Sequence, residues 1–244
     1  IDLARAVGEY LGVEVEFQKI DWDNKEFELA SKNIDLLWNG MTIDDERKAA
    51  WEISEPYMLN KQVAIIRKSD ASKYDTLEKM KSTNKWIAEK GSAGKKIIDT
   101  FVSNAIGAAA QIDILTELKS GTADIGVMDQ VMAGYYIEQS GSSYSSDLMI
   151  APVNVTEEDE YYGIACRKGE VALMDKINTA LVALQASGKI NEIATNYGVK
   201  NAILPIQYTS PEGITDGSWD YITGKGKIVI GYTLFAPIAF KVIE

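Results

Sequence analysis

Arg47, set between Glu46 and Lys48, and Asp129, directly after the apolar run Ile125-Gly126-Val127-Met128, are the side chains with the most chemistry to offer. A guanidinium holds both oxygens of a carboxylate through parallel, charge-assisted hydrogen bonds, a fork that lysine cannot copy. Thr42 stands in the loop before Arg47 and can donate through its hydroxyl and its backbone NH, while Gly40 lets another group approach the backbone closely. Ala123, Ile125 and Val127 share one face of a strand, so Asp129 sits at its C-terminal end, where open α/β sheets bind ligands. Two competing roles stay open: a surface residue in a charged turn for Arg47, and a helix N-cap over Gln130-Val131-Met132-Ala133 for Asp129.

The chain has no histidine and one cysteine among its 244 residues. That removes Ser-His-Asp and Cys-His nucleophile pairs and every His-based metal site, leaving acid or base work to carboxylates, Lys or Tyr. Cys166 has no partner for an internal disulfide, and its flanks, Gly163-Ile164-Ala165 and Arg167, read as a buried strand, so an inert core thiol is expected. The acidic run Glu157-Glu158-Asp159-Glu160 could hold calcium, but it lacks the alternating spacing and glycine turn of an EF-hand loop and reads as a solvated loop. A net charge of −11 repels phosphate backbones and argues against a nucleic-acid partner.

The elements that must position these groups follow from periodicity. Ile1, Ala4, Val7 and Leu11 make the stripe of an amphipathic helix ending at Gly12, and Val13, Val15 and Phe17 then alternate with polar residues as a half-exposed strand. Ile34-Asp35-Leu36-Leu37-Trp38 reads as a second strand, so α/β layers with a largely parallel sheet are expected. Val63-Ala64-Ile65-Ile66, closed by Arg67-Lys68, and Gly163-Ile164-Ala165-Cys166, closed by Arg167-Lys168, share one shape and read as paired crossings between two lobes. Between them lie Trp86-Ile87-Ala88, a helix containing Leu115 and Leu118, and the strand Asp124 to Met128. Leu173, Ile177, Leu181 and Leu184 form a helical stripe, Tyr208 to Ser218 reads as a connector, and Lys227-Ile228-Val229-Ile230-Gly231 reads as a strand. A length of 244 residues suits two compact units, and 46% hydrophobic with 25% charged residues suits a soluble fold. No run of 18 apolar residues occurs, and the start, Ile1-Asp2-Leu3-Ala4-Arg5, lacks the regions of a signal peptide.

Several segments in combination resemble the polar-amino-acid binding proteins of ABC importers, the extracellular solute-binding proteins of family 3. They are Ile1 to Ala6, Asn39-Gly40-Met41-Thr42-Ile43 with Glu46-Arg47-Lys48, Ser54-Glu55-Pro56-Tyr57, Gly91-Ser92-Ala93, Gly121 to Asp129, and Tyr162 to Gly169. The resemblance implies a type II periplasmic-binding-protein-like fold, two α/β lobes joined by two crossing strands. It implies lobe 1 at residues 1–65, lobe 2 at 66–164, returning helices of lobe 1 at 165–204, a connector at 205–221 and a further lobe 1 strand at 222–244. Family members begin with a segment like Gly226 to Pro237, which here comes last, so the order is read as a circular permutation broken in the family's first hairpin. Ile1 and Glu244 should then lie close together. Such a break suits fusion of another domain, and engineering is the leading explanation for it; use as the sensing half of a reporter is a third reading of function, beside a binding module and an enzyme.

The resemblance also assigns the site. Arg47, with Thr42 and Gly40, would clamp the carboxylate of a free amino acid, Ser92 and Ala93 would add donors from the second lobe, and Asp129 would receive the ammonium. Trp22 and Phe235 would sandwich the side chain, with core packing as their alternative, and Asn39 and Glu89 would read its polar end. Tyr232 stands near where members that select cationic amino acids or glutamine have an aspartate, so a neutral polar amino acid is expected, with Glu89 keeping lysine or arginine open. No cofactor is implied. The implied partners are the free amino acid and the importer's membrane subunits, with the natural parent a monomer placed outside the cytoplasm, in the periplasm or as a cell-surface lipoprotein. Dehydratases acting on cyclohexadienyl substrates resemble the same fold, and for that enzymatic alternative Glu89 is the candidate acid.

Overall fold

The helical stripe at the start of the chain folds as read: helix α1 (Asp2–Leu11) buries Ala4 and Val7, and Gly12 ends it at φ 70°, a left-handed conformation that glycine adopts without steric cost. The structure is a computed structural model, and it describes residues 1–138 and 142–240. Its helices, after α1, are α2 (Lys25–Ala30), α3 (Asp45–Ala50), α4 (Leu77–Lys81), α5 (Ala93–Asp99), α6 (Gln111–Ser120), α7 (Gln130–Ala133), α8 (Val171–Ala186), α9 (Lys189–Asn196) and α10 (Ser218–Lys225).

Two five-stranded sheets carry the architecture. The first runs β1 (Glu14–Lys19), β12 (Lys227–Tyr232), β2 (Leu36–Leu37), β11 (Ala165–Arg167) and β3 (Trp51–Ile53). The second runs β7 (Ile106–Ala108), β6 (Trp86–Glu89), β8 (Ile125–Asp129), β5 (Gln62–Arg67) and β9 (Leu148–Ile150). Each sheet is parallel through its first three strands and turns antiparallel at β11 and at β5. Strand β8 is buried along its whole length, as expected for a central strand covered on both faces. Helix α8 buries Leu173, Ile177 and Leu181 of the stripe read from the sequence, while Leu184 is half-buried.

The expected crossing pair is corrected. Val63 to Ile66 lie in β5 of the second sheet and Ala165-Cys166 in β11 of the first, so the two runs are not partners. The strands that pass side by side are β4 (Met58–Asn60) and β10 (Glu160–Tyr162), antiparallel, with Tyr162 opposite Met58. The expected boundary at residue 65 therefore falls inside β5. What the two runs share is a role repeated in each sheet. Arg67 donates to the carbonyls of Leu118 and Ala123 at 2.8 and 2.7 Å, and Arg167 to those of Leu29 and Ile34 at 3.0 and 2.7 Å. Each arginine ties the end of a helix to the loop that enters the next strand, and each stands beside an aspartate of that loop, Asp124 at 2.7 Å and Asp35 at 3.5 Å.

The connector is shorter than expected, because α10 begins at Ser218. It is also fastened down. Ile206 NH donates to Gln185 Oε1 at 2.7 Å and the Tyr208 hydroxyl to Asp175 at 3.0 Å. Asp216 accepts from the NH groups of both Ala172 and Ser218 at 2.8 Å, serving the first turns of α8 and α10 together.

Candidate functional site

Arg47 projects from α3, whose N-cap is Asp44: the carboxylate accepts from the Arg47 NH at 2.8 Å. The Arg47 side chain is buried, 5% exposed, which answers the surface alternative. Its Nη1 donates to the Thr42 carbonyl at 2.6 Å, and its Nη2 reaches across to the Gly91 carbonyl at 3.4 Å. The Thr42 hydroxyl donates to Glu160 Oε2 at 3.0 Å. Gly40 is required by crowding, since a Cβ there would stand 2.6 Å from the Phe235 ring and 3.1 Å from that of Tyr162.

Asp129 is the last residue of β8 and takes the N-cap position of α7 without a side-chain capping bond. Its carboxylate accepts instead from the side-chain amides of Asn60, Gln62 and Gln111, the Gln62 bond being 2.8 Å. Asn60 and Gln62 also donate to Glu160, at 3.2 and 2.9 Å. A continuous hydrogen-bonded chain thus runs from Arg47 through Thr42, Glu160 and the two amides to Asp129. Burial, and after it the charge of Glu160, push the Asp129 carboxyl up to about 6, while its amide donors hold it down.

Glu89 ends β6 and is buried, with Oε1 lacking a partner among the described residues. Burial first, and the charge of Asp129 second, push it up to about 8, with Lys25 opposing. Gly91 turns the chain at φ 66°, and Ser92 N-caps α5, its hydroxyl oxygen accepting from the Lys95 NH at 3.1 Å, which leaves its own proton free to donate. Ala93 opens that helix, partly exposed.

Asn39 donates to the Thr233 hydroxyl at 2.7 Å and keeps a buried Oδ1 that has no partner among the described residues. Phe235 packs edge-on to Tyr162, with ring centroids 6.3 Å apart, beside Gly40. Trp22 packs with Ile20, Leu29 and Ile34 in the first lobe's core, and the Lys25 ammonium stands 5.3 Å from its ring centroid.

Tyr232 is placed elsewhere than expected. It meets Phe17 edge-on at 6.1 Å and lines an apolar cavity with Leu3, Trp38 and Ile190, a lining that includes none of Arg47, Glu89 and Asp129. Alternation along an extended chain sends the next residue, Thr233, to Asn39 instead.

The sequence reading missed Lys25, Asn60, Gln62, Gln111 and Glu160. Asn60 and Gln62 alternate with Leu59, Lys61 and Val63, and that polar interruption of an apolar strand pair was the available signal. Glu160 belongs to the run taken as a solvated loop, and its bonds to Thr42, Asn60 and Gln62 correct that reading at this one residue. Among the described residues no cluster of three or more Cys, Asp or Glu is placed to hold a metal ion.

The profile of the bacterial extracellular solute-binding proteins, family 3, matches residues 1–200. A probable histidine-binding protein of Neisseria gonorrhoeae is 28% identical over 204 residues, covering 82% of this chain and 74% of that one. A crystal structure of an ABC uptake transporter substrate-binding protein from Streptococcus pneumoniae with bound histidine superposes with a TM-score of 0.73 at 35% identity, covering 82% of this chain and 83% of that one. The amino acid ABC transporter substrate-binding protein AbpA of Streptococcus pneumoniae, bound to L-arginine, superposes with a TM-score of 0.71 at 27% identity, covering 80% of this chain and 81% of that one.

Proposed function

The chain belongs to the bacterial extracellular solute-binding proteins, family 3, and from that premise we propose that it holds one free amino acid between its two lobes, the carboxylate at Arg47 and the ammonium at Asp129. The observation that carries this reading is the partly buried chain of hydrogen bonds that joins a buried guanidinium on the first lobe to a buried carboxylate on the second. A buried guanidinium and a buried carboxyl, separated by Glu160 and two side-chain amides, match the two ends of a zwitterion, and burying either without a partner is costly. The Thr42 backbone NH, Ser92 and the start of α5 supply donors to the carboxylate, and Phe235 with Gly40 gives a flat apolar wall.

The lobes close on the ligand about β4 and β10, where the chain passes from one sheet to the other and back. Lys96 already reaches across to Asp44 at 3.1 Å and Glu46 at 2.5 Å. The bound amino acid is then delivered to the membrane subunits of an ABC importer, from the periplasm or a cell-surface anchor. Circular permutation is part of the same reading: β12, late in the sequence, lies between β1 and β2 and is parallel to both. The Ile1 ammonium donates to the Ile238 carbonyl at 3.2 Å, while Glu244, whose distance from Ile1 was the expectation, lies outside the described residues.

Isothermal titration against the common amino acids tests the proposal. Saturable binding of one equivalent is expected; no heat from any of them would refute it. Analysis of the recovered ligand serves the enzymatic alternative, which the protonated state of Glu89 near neutral pH favours. Unaltered ligand is the expected result.

A further inference from the structure

Lysine is among the residues least often buried, yet Lys25 is 5% exposed, and it stands beside the site and not in the core of a lobe. Its ammonium donates to the Trp22 carbonyl at 3.2 Å and the Gly91 carbonyl at 3.3 Å, the second of these shared with Arg47. An ammonium has three donors, so one remains. Burial first, and the charge of Arg47 second, lower its proton affinity, while Glu26, Asp23 and, after them, Glu89 oppose this. Glu89, two residues before Gly91, is the matching half: a buried carboxyl whose Oε1 has no partner among the described residues. One donor of Lys25 and one acceptor of Glu89 are therefore without a partner among the described residues, and the two groups are close enough for the charge of one to act on the other, next to the groups assigned to the backbone ends of the ligand.

We infer that Lys25 and Glu89 form the subsite for the ligand's side chain and select a neutral group carrying both an acceptor and a donor, an amide or an imidazole, over a cationic one. This rests on the amino-acid-binding reading above. An amide oxygen or an unprotonated ring nitrogen accepts from Lys25, and the amide or ring NH donates to Glu89. A guanidinium or ammonium side chain would instead enter beside two fixed cations, Lys25 and Arg47, neither of which can accept a hydrogen bond, and Asp129, the anion that acts most strongly on Glu89, is already assigned to the ligand's own ammonium. Glu89, mostly protonated at neutral pH, offers such a cation little compensating charge. A carboxylate side chain could pair with Lys25, but it would share the cleft with Asp129 and Asp21, the two aspartates whose charge already acts against ionisation of Glu89.

The test is isothermal titration of the intact chain at pH 7 with glutamine, asparagine, histidine, arginine, lysine and glutamate, repeated on Lys25→Met. The expected result is that one of the amides or histidine binds at least ten-fold more tightly than arginine, lysine and glutamate, and that Lys25→Met narrows its margin over arginine or lysine at least ten-fold. The wild-type ranking stands by itself if the variant fails to fold. Tightest binding of arginine, lysine or glutamate by the wild type, or an unchanged margin in folded Lys25→Met, would overturn the inference and leave the amino-acid reading standing. No binding of any amino acid would overturn both.

Discussion

At Arg47 the guanidinium is held on two carbonyls, Thr42 at 2.6 Å and Gly91 at 3.4 Å, and a ligand carboxylate would meet it in a fork geometry. Lysine keeps the charge and loses the fork, so Arg47→Lys should weaken amino-acid binding by about 1.5–3 kcal/mol, the scale of a hydrogen bond to a charged group. Titration calorimetry measures it, and unchanged affinity would remove Arg47 from the site. Glu89 makes a pH prediction. Its folded pKa of about 8 lies above the unfolded value of 4.5, so between those values the folded state binds more protons, and unfolding is favoured as pH rises. Glu89 should therefore cost stability progressively from about pH 4.5 to 8, by a few kcal/mol in total, and Glu89→Gln should remove that slope. Parallel denaturation curves for the two proteins at pH 5 and pH 8.5 would contradict it. The place of Asp129 at the end of a buried strand was legible, because the run before it is apolar. Lys25, Asn60, Gln62 and Gln111 were not, because a polar residue buried to serve another polar group looks in sequence like one facing water.

Among the elements, the loop before α3 and the segment after β12 meet at Gly40 and Phe235. A Cβ at Gly40 would fall 2.6 Å from the Phe235 ring, so Gly40→Ala should cost about 1–3 kcal/mol of stability through overpacking. An unchanged melting midpoint would mean that the contact is loose. Helix and strand identities were readable wherever the apolar period was long, as in α1 and α8. The crossing strands were not. The runs at Val63 and Ala165 are more apolar than β4 and β10 because they are sheet strands, each ending in an arginine that ties off its own lobe. The true crossing strands carry Asn60 and Glu160, polar because they border the site.

On the scale of the whole molecule, the question is what holds the lobes together. Lys96 with Asp44 and Glu46 spans the cleft, but Lys96 and Glu46 are 50% and 75% exposed, and pairs of that kind contribute about 0–1 kcal/mol. Driving a two-state equilibrium from 1:99 to 99:1 takes about 5.5 kcal/mol of differential affinity, so the surface pairs are too weak and the ligand must supply the bias. Lys96→Ala should accordingly change affinity by less than about two-fold, corresponding to the lower part of that surface-pair range. A ten-fold loss would make Lys96 part of the binding machinery. Small-angle scattering of the intact chain, without ligand and with a saturating concentration of the amino acid that binds most tightly, tests the central claim most directly. Because Arg47 and Asp129 must come together around one zwitterion, the radius of gyration should fall on saturation. An identical scattering profile in both states would contradict closure on a ligand held by both lobes.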